Sequence, residues 1–165
     1  MIQKKVCTLG MFGVGKTSLV RRYVNQLFEE KYKTTIGVKV DHKLVALEAM
    51  SVNLLLWDIA GAEEETPAAD NYFRGAHGAL VVYDVTRLES ARVTAEYCER
   101  FLRITPHAKL VFAGNKSDLV EAGQLNANEL IKMLGQKNAQ HFFTSAKTGE
   151  NVERAFAALT QAMLS

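Results

Sequence analysis

The chain has 165 residues, 48% of them apolar and 23% charged, and 20 Lys and Arg against 18 Asp and Glu leave a net charge of +2. That is the profile of an ordinary globular protein, too weakly basic for a nucleic-acid footprint. The opening Met1-Ile2-Gln3-Lys4-Lys5 is no secretion signal, no apolar run approaches the ~20 residues of a membrane span, and two prolines without a Ser/Gly-rich tract leave no linker, so one domain is expected over residues 1–165.

Strand-like and helix-period segments alternate along the chain. Residues 4–10 read as a first strand, ending in a glycine-containing loop. A helix from Lys16 to Gln26 carries Leu19, Val20, Tyr23, Val24 and Leu27 at helical spacing. Residues 38–47 and 51–57 form a hairpin turned around Glu48–Met50. The unbroken apolar run Ala79-Leu80-Val81-Val82-Tyr83 suits a strand covered on both faces, and the next helix is read from Val93, Tyr97, Phe101 and Ile104. Leu110-Val111-Phe112-Ala113 is another buried strand, Asn126 or Asn128 caps a helix through about Asn138, and Phe142-Phe143 sits in a last short strand. A terminal helix starts at Asn151 as N-cap and buries Val152, Phe156, Leu159 and Met163. Cys7 and Cys98 are too few for a disulfide framework and read as small buried hydrophobes, while four scattered histidines disfavour an imidazole metal cage. The sum is an α/β fold: a six-stranded, mostly parallel sheet with one antiparallel edge strand and helices on both faces. Such sheets bind ligands beyond the C-terminal ends of their strands.

The loops at those ends are specific. Gly10-Met11-Phe12-Gly13-Val14-Gly15-Lys16-Thr17 matches G-x-x-x-x-G-K-[ST] between a predicted strand and a predicted helix. Glycines let successive backbone N–H groups turn toward phosphate oxygens, and the helix N-terminus adds its positive dipole end. Lys16 would reach the β- and γ-phosphates, and Thr17 would give its hydroxyl to Mg²⁺. Asp58 follows the strand Leu54-Leu55-Leu56-Trp57 and stands where such proteins place a magnesium-linked carboxylate; alone, it would be explained by turn chemistry. Gly61 would let its N–H approach a γ-phosphate. Asn115-Lys116-Ser117-Asp118 follows the strand ending at Gly114. A carboxylate accepts two N–H bonds at once, from N1 and the exocyclic amine of guanine, a pair that adenine lacks on that edge. Asp118 would therefore select guanine, Asn115 would brace the loop or bond the ring edge, and the Lys116 stem would pack along the ring. Ser145-Ala146-Lys147 follows the last strand, where the Ala146 N–H can donate to the guanine carbonyl.

With these residues in this order, the chain resembles a Ras-superfamily small GTPase over essentially its whole length. It looks most like the Rab branch in Ile36-Gly37-Val38, Trp57-Asp58, Tyr72-Phe73-Arg74-Gly75-Ala76-His77-Gly78, Val82-Tyr83-Asp84-Val85-Thr86 and Ser145-Ala146-Lys147-Thr148-Gly149. The resemblance implies a P-loop G domain that binds GTP and GDP with Mg²⁺ and switches between two states. It implies nucleotide contacts from Gly13, Val14, Gly15, Lys16, Thr17, Ser18, Phe28, Tyr32, Thr35, Gly61, Asn115, Lys116, Asp118, Ser145, Ala146 and Lys147. Mg²⁺ would be held by Thr17, Thr35 and Asp58, and catalysis would fall to Lys16, Thr35 and Gly61. Phe28 matches the aromatic that leans on the guanine, Tyr32 the tyrosine that closes over the phosphates, and Thr35 the threonine that ligates Mg²⁺ in the triphosphate state.

Three departures qualify these expectations. Ala62 stands where the family places a glutamine that orients the attacking water, and a methyl group cannot hold a water. Phe12 replaces a small residue; it obstructs an incoming arginine finger or displaces the water, or else simply packs against the second switch. Together they imply slow hydrolysis, or alternatively a GTP-bound module that recruits a partner without turnover. The second departure is the switch segment Glu63-Glu64-Glu65-Thr66-Pro67-Ala68-Ala69-Asp70, where the family's aromatic and basic residues give way to acid, proline and alanine. Effectors, exchange factors or activating proteins are expected on switch I (30–38) and switch II (61–74), the acidic stretch favouring a partner with a basic surface. Third, no terminal cysteines or polybasic run precede Ser165, which implies no lipid anchor on this chain. The expectation is a cytoplasmic monomer that meets membranes only through a partner or a tail absent from this chain.

Overall fold

The computed structural model describes residues 1–26, 28, 37–60, 66–126, 128, 132 and 139–165. In chain order its elements are β1 (Ile2–Leu9), α1 (Lys16–Asn25), β2 (Val38–Ala46), β3 (Ser51–Ile59), α2 (Ala69–Phe73), β4 (Gly78–Asp84), α3 (Leu88–Ile104), β5 (Lys109–Asn115), β6 (Gln140–Phe143) and α4 (Val152–Leu164). Short 3₁₀ turns lie at Ser117–Leu119 and Ala122–Gln124. The six strands run in the order β2-β3-β1-β4-β5-β6. Only β2 is antiparallel, pairing from Val38 opposite Ile59 to Ala46 opposite Ser51. The others are parallel, with Val6 between Leu56 and Gly78, Leu80 beside Val111, and Ala113 beside Phe142. All five parallel strands therefore end on one edge, and the candidate chemistry sits on the loops that leave it.

Two apolar layers follow from the period-2 alternation of the strands. Val6, Leu80, Val82, Val111 and Ala113 face the layer beneath α1 and α4, where Tyr23 and Phe156 stack with ring centroids 4.0 Å apart. Cys7, Ala79, Val81, Tyr83 and Phe112 face the layer beneath α2 and α3, where Phe73 meets Phe101 edge-on at 5.4 Å. Cys7 and Cys98 are buried in that second layer.

The expected elements are present with informative shifts. β3 runs two residues past the predicted end because Asp58 and Ile59 still pair with Lys39 and Val38. α1 stops at Asn25, where Gln26 turns left-handed (φ 57°) and its N–H closes on the Arg22 carbonyl. The sheet-facing stripe of α3 is Ala91, Thr94, Cys98 and Phe101, so of the predicted face only Phe101 is fully buried and Val93, Tyr97 and Ile104 lie half-buried beside it. Small side chains let that helix approach the sheet, and the Thr94 hydroxyl is satisfied by the Val82 carbonyl at 3.3 Å. Helix α4 buries Val152, Phe156, Leu159 and Met163 as expected. Asn151, however, is left-handed (φ 57°) and makes no side-chain cap; its Nδ2 donates to the Phe143 carbonyl at 2.8 Å and pins the helix start to the end of β6. The short α2 was not legible in the sequence; Arg100 holds it through Asp70 (2.8 Å) and the Thr66 carbonyl (2.6 Å). The helix expected through Asn138 lies largely outside the described residues, although the Asn128 N–H donates to Asn126 Oδ1 at 3.1 Å as a cap would require. Among the described residues, no helix is long and apolar enough to cross a membrane.

Candidate nucleotide site

The loop between β1 and α1 takes its shape from glycines. Gly10 has φ 149° and a Cβ there would overlap the Val82 carbonyl, while Gly15 has φ 102° and a Cβ would overlap Asn115 Nδ2. Both positions need a left-handed backbone and an adjoining strand end packed close, which only glycine allows. Gly15 also stands at the N-cap of α1, where it has no side chain to offer as a cap, and the positive end of the helix dipole there suits an anion. Lys16 is 6% exposed and its ammonium folds back over the loop to the Gly10 carbonyl. Ser18 is half-buried in the first turn, and Val14 is wholly buried.

Asp58, at the end of β3, is 1% exposed. Thr17 Oγ1 donates to its Oδ2 at 2.6 Å and Thr8 Oγ1 to its Oδ1 at 3.2 Å. Burial pushes this carboxyl above the usual range; Thr17, Lys16 and Thr8 pull it back, and Asp41 adds to the push. A buried carboxylate working against desolvation beside a hydroxyl oxygen is a donor set that fits a hard divalent cation. Mg²⁺ typically takes one or two protein oxygens and completes its shell with phosphates and water. Thr17 and Asp58 are the described residues that can hold it; Tyr32, Thr35, Gly61 and Ala62–Glu65 lie outside the described residues.

The loop after β5 is fastened directly to the glycine loop. Asn115 Nδ2 donates to the Val14 carbonyl at 3.0 Å, and Thr144 Oγ1 donates to Asn115 Oδ1 at 3.2 Å. These two bonds brace the loop. Lys116, left-handed at φ 66°, donates to the Gly13 carbonyl at 2.8 Å and pairs with Asp84 at 2.9 Å. Ser145 Oγ donates to Asp118 Oδ1 at 2.7 Å and accepts the Thr148 N–H at 3.1 Å, so the loops after β5 and β6 set one another's orientation. A carboxylate has about four acceptor positions, so one bond from Ser145 leaves room for the two N–H groups of a guanine edge. Ala146 is buried and Lys147 exposed, and Arg22 of α1 holds the carbonyls of Lys147 (3.4 Å) and Thr148 (3.2 Å). Phe28 is half-buried against the layer under α1 and α4. The Phe12 side chain is 51% exposed at the loop's lip.

Four of the site residues just described escaped the sequence reading: Thr8, Arg22, Asp84 and Thr144. Asp84 ends β4 as Asp58 ends β3, so the same strand-end rule would have found it. Its side chain is 2% exposed; burial works against its charge, yet Thr86 and Lys116 hold the carboxyl below the usual range. Thr8, Arg22 and Thr144 carry no sequence signal, because each acts on a residue distant in the chain.

Comparison with known proteins agrees with this geometry. The Ras family matches residues 5–165. Ras-related protein Rab-1 of Theileria parva is 35% identical over 161 residues, 96% of this chain and 73% of that protein. GTP-binding protein ypt1 of Schizosaccharomyces pombe is 33% identical over 158 residues, 95% of this chain and 78% of its own. Ras-related protein Rab5A of Oryza sativa subsp. japonica is 37% identical over 162 residues, 97% and 79% respectively. With a match nearly end to end and the strand order observed, this chain belongs to the Ras family and is a small GTPase of the Rab type.

Proposed function

We propose that residues 1–165 act as one G domain that binds GTP and GDP with Mg²⁺ and hydrolyses GTP slowly. The observation that carries this reading is the fastening of the base loop to the phosphate loop: Asn115 and Lys116 grip the carbonyls of Val14 and Gly13. One rigid unit then presents phosphate donors and the guanine-selective Asp118 together. In this reading the glycine loop and the α1 N-terminus bind the phosphates. Lys16 leaves the Gly10 carbonyl to meet the charge that grows on the transferred phosphoryl group, and Thr35 and Gly61 complete the site. Thr17, Thr35 and Asp58 would hold Mg²⁺, which would supply neutralisation of phosphate charge. Ser18, Phe28, Tyr32, Ser145, Ala146 and Lys147 would line the rest of the nucleotide.

Ala62 offers no hydrogen bond to orient the water, which is the reason for expecting slow turnover. A second reading, a GTP-bound module that recruits a partner without hydrolysis, is favoured by the Phe12 ring, half-exposed where an arginine finger would enter. Under either reading, effectors, exchange factors or activating proteins would meet switch I (30–38) and switch II (61–74), and Glu63-Glu64-Glu65 would select a basic partner surface.

Single-turnover hydrolysis decides between them. Protein loaded with GTP and Mg²⁺ is followed for GDP by chromatography over many hours. Turnover below the roughly 10⁻⁴ s⁻¹ of unassisted Ras, raised about tenfold or more by Ala62→Gln, supports the slow enzyme. Persistent GTP in both proteins supports the binding module, and an ordinary rate without the substitution removes the argument from Ala62.

A further inference from the structure

Two consecutive carbonyls of the phosphate loop are held by two cations, and both cations rest on one carboxylate. Lys116 Nζ donates to the Gly13 carbonyl at 2.8 Å and lies 2.9 Å from Asp84 Oδ2. Arg87 Nη2 donates to the Phe12 carbonyl at 3.3 Å, and its Nε reaches the same Asp84 oxygen at 3.2 Å. The Lys116 half belongs to the base loop already described. The Arg87 half does not, and it comes from a different element, the N-cap position of α3.

We propose that Arg87 is a positioning residue for phosphate binding: by bridging Asp84 to the Phe12 carbonyl, it locks the Phe12–Gly13 peptide with its N–H directed at the nucleotide. A trans peptide is planar, so its C=O and N–H point in opposite directions. Holding the Phe12 oxygen toward Arg87 at the start of α3 sends the Gly13 N–H the opposite way. Gly13 lies at φ 81°, in a region open to glycine on either side of a peptide flip, so the sequence at this point does not itself fix the orientation. The bracket must therefore come from elsewhere, and it is rigid at its root. The Arg87 N–H donates to the Asp84 carbonyl at 3.0 Å, and the Ser90 hydroxyl donates to the Arg87 carbonyl at 2.6 Å while accepting the Asp84 N–H at 2.9 Å. Arginine suits the role because its planar fork holds Nε on the carboxylate and Nη2 on the carbonyl in a fixed relative geometry, whereas a lysine ammonium carries its donors on one flexible tip.

The inference rests on the nucleotide reading above, and the test separates the two. Dissociation of fluorescent mant-GDP is measured at fixed Mg²⁺ for the unsubstituted protein, Arg87→Lys and Arg87→Ala. The Gly13 amide cross-peak of each GDP-loaded protein is recorded alongside. Arg87→Ala is expected to release mant-GDP about three- to tenfold faster, the effect of one charge-assisted bond at a half-exposed site. Arg87→Lys should fall between. The Gly13 peak should move in Arg87→Ala while amide peaks in the middle of β1 and β4 stay in place, which a loosened α3 alone would not produce. Preference for GDP over ADP should be unchanged, because the base loop is untouched. Unchanged dissociation, or an unmoved Gly13 peak, in both variants overturns the proposal. Should Arg87→Ala fail to fold, Arg87→Lys decides by the same two readings. Failure of the unsubstituted protein to hold mant-GDP overturns the nucleotide reading itself, and this inference falls with it.

Discussion

At the scale of single residues, Asp118 carries the sharpest prediction because the role proposed for it is chemical rather than steric. Ser145 fixes one of its oxygens at 2.7 Å, so the carboxylate is oriented before any base arrives. Two charge-assisted bonds to guanine at about 1.5–3 kcal/mol each imply that Asp118→Asn lowers GDP affinity by about 10²–10⁴-fold, since an amide presents a donor where the base also donates. Competition binding with GDP and ADP checks this, and equal GDP affinity in the two proteins would remove the guanine assignment. Asp118 was legible in the sequence because its neighbours are contiguous and its chemistry is local. Asp84 and Arg87 were not legible as a pair with Lys116, since that cluster joins positions far apart in the chain that meet only when β4 and β5 lie side by side.

Among the elements, β6 shows how a strand end can bring in a titratable group with no part in the nucleotide reading. His141 Nε2 lies 2.6 Å from the Tyr83 hydroxyl, and its ring meets Phe143 edge-on at 4.8 Å. Burial raises the Tyr83 pKa, so the phenol keeps its proton and donates it; burial also lowers His141 to about 4, keeping the imidazole neutral as acceptor. Unfolded, a histidine titrates near 6.5. Between those two values His141 of the unfolded chain binds a proton that the native one does not, so its contribution to stability falls as pH drops from about 6.5 and is fully lost below about 4. The loss over that window should be about 2–3 kcal/mol. Urea unfolding at pH 7 and pH 4.5 should show it, and His141→Gln should flatten that part of the profile; an equal slope in both proteins would exclude His141 as its source. The elements themselves were legible where the apolar period was strong, as in β4 and α4. The face of α3 was misread because spacing marks large side chains, whereas the helix seats itself on Ala91, Thr94 and Cys98 so as to lie close to the sheet.

For the whole molecule, the site spans the sheet. Asp58 comes from β3, the glycine loop from β1, Asp84 from β4, Asn115 from β5 and Ser145 from just beyond β6. A nucleotide held by all of these would cross-link loops from five adjacent parallel strands, and melting any one of them would release it. Binding to the native state alone stabilises by RT ln(1 + [L]/Kd), about 4 kcal/mol when ligand exceeds Kd a thousandfold. For a domain of this size 1 kcal/mol corresponds to about 2–4 °C, so saturating GDP with Mg²⁺ should raise Tm by about 8–16 °C over nucleotide-free protein. Chelating the metal with EDTA should remove part of that shift, because the Thr17–Asp58 pair then has no cation to bridge it to phosphate. ATP should give little of the shift, since the phosphate loop is common to both nucleotides but Asp118 finds no donor pair on adenine. Thermal melting with GDP, GDP plus EDTA, and ATP at equal concentration separates the contributions. An equal shift with ATP would leave the phosphate loop standing and remove the base loop, whereas an EDTA-insensitive GDP shift would remove Mg²⁺ from the role given to Asp58.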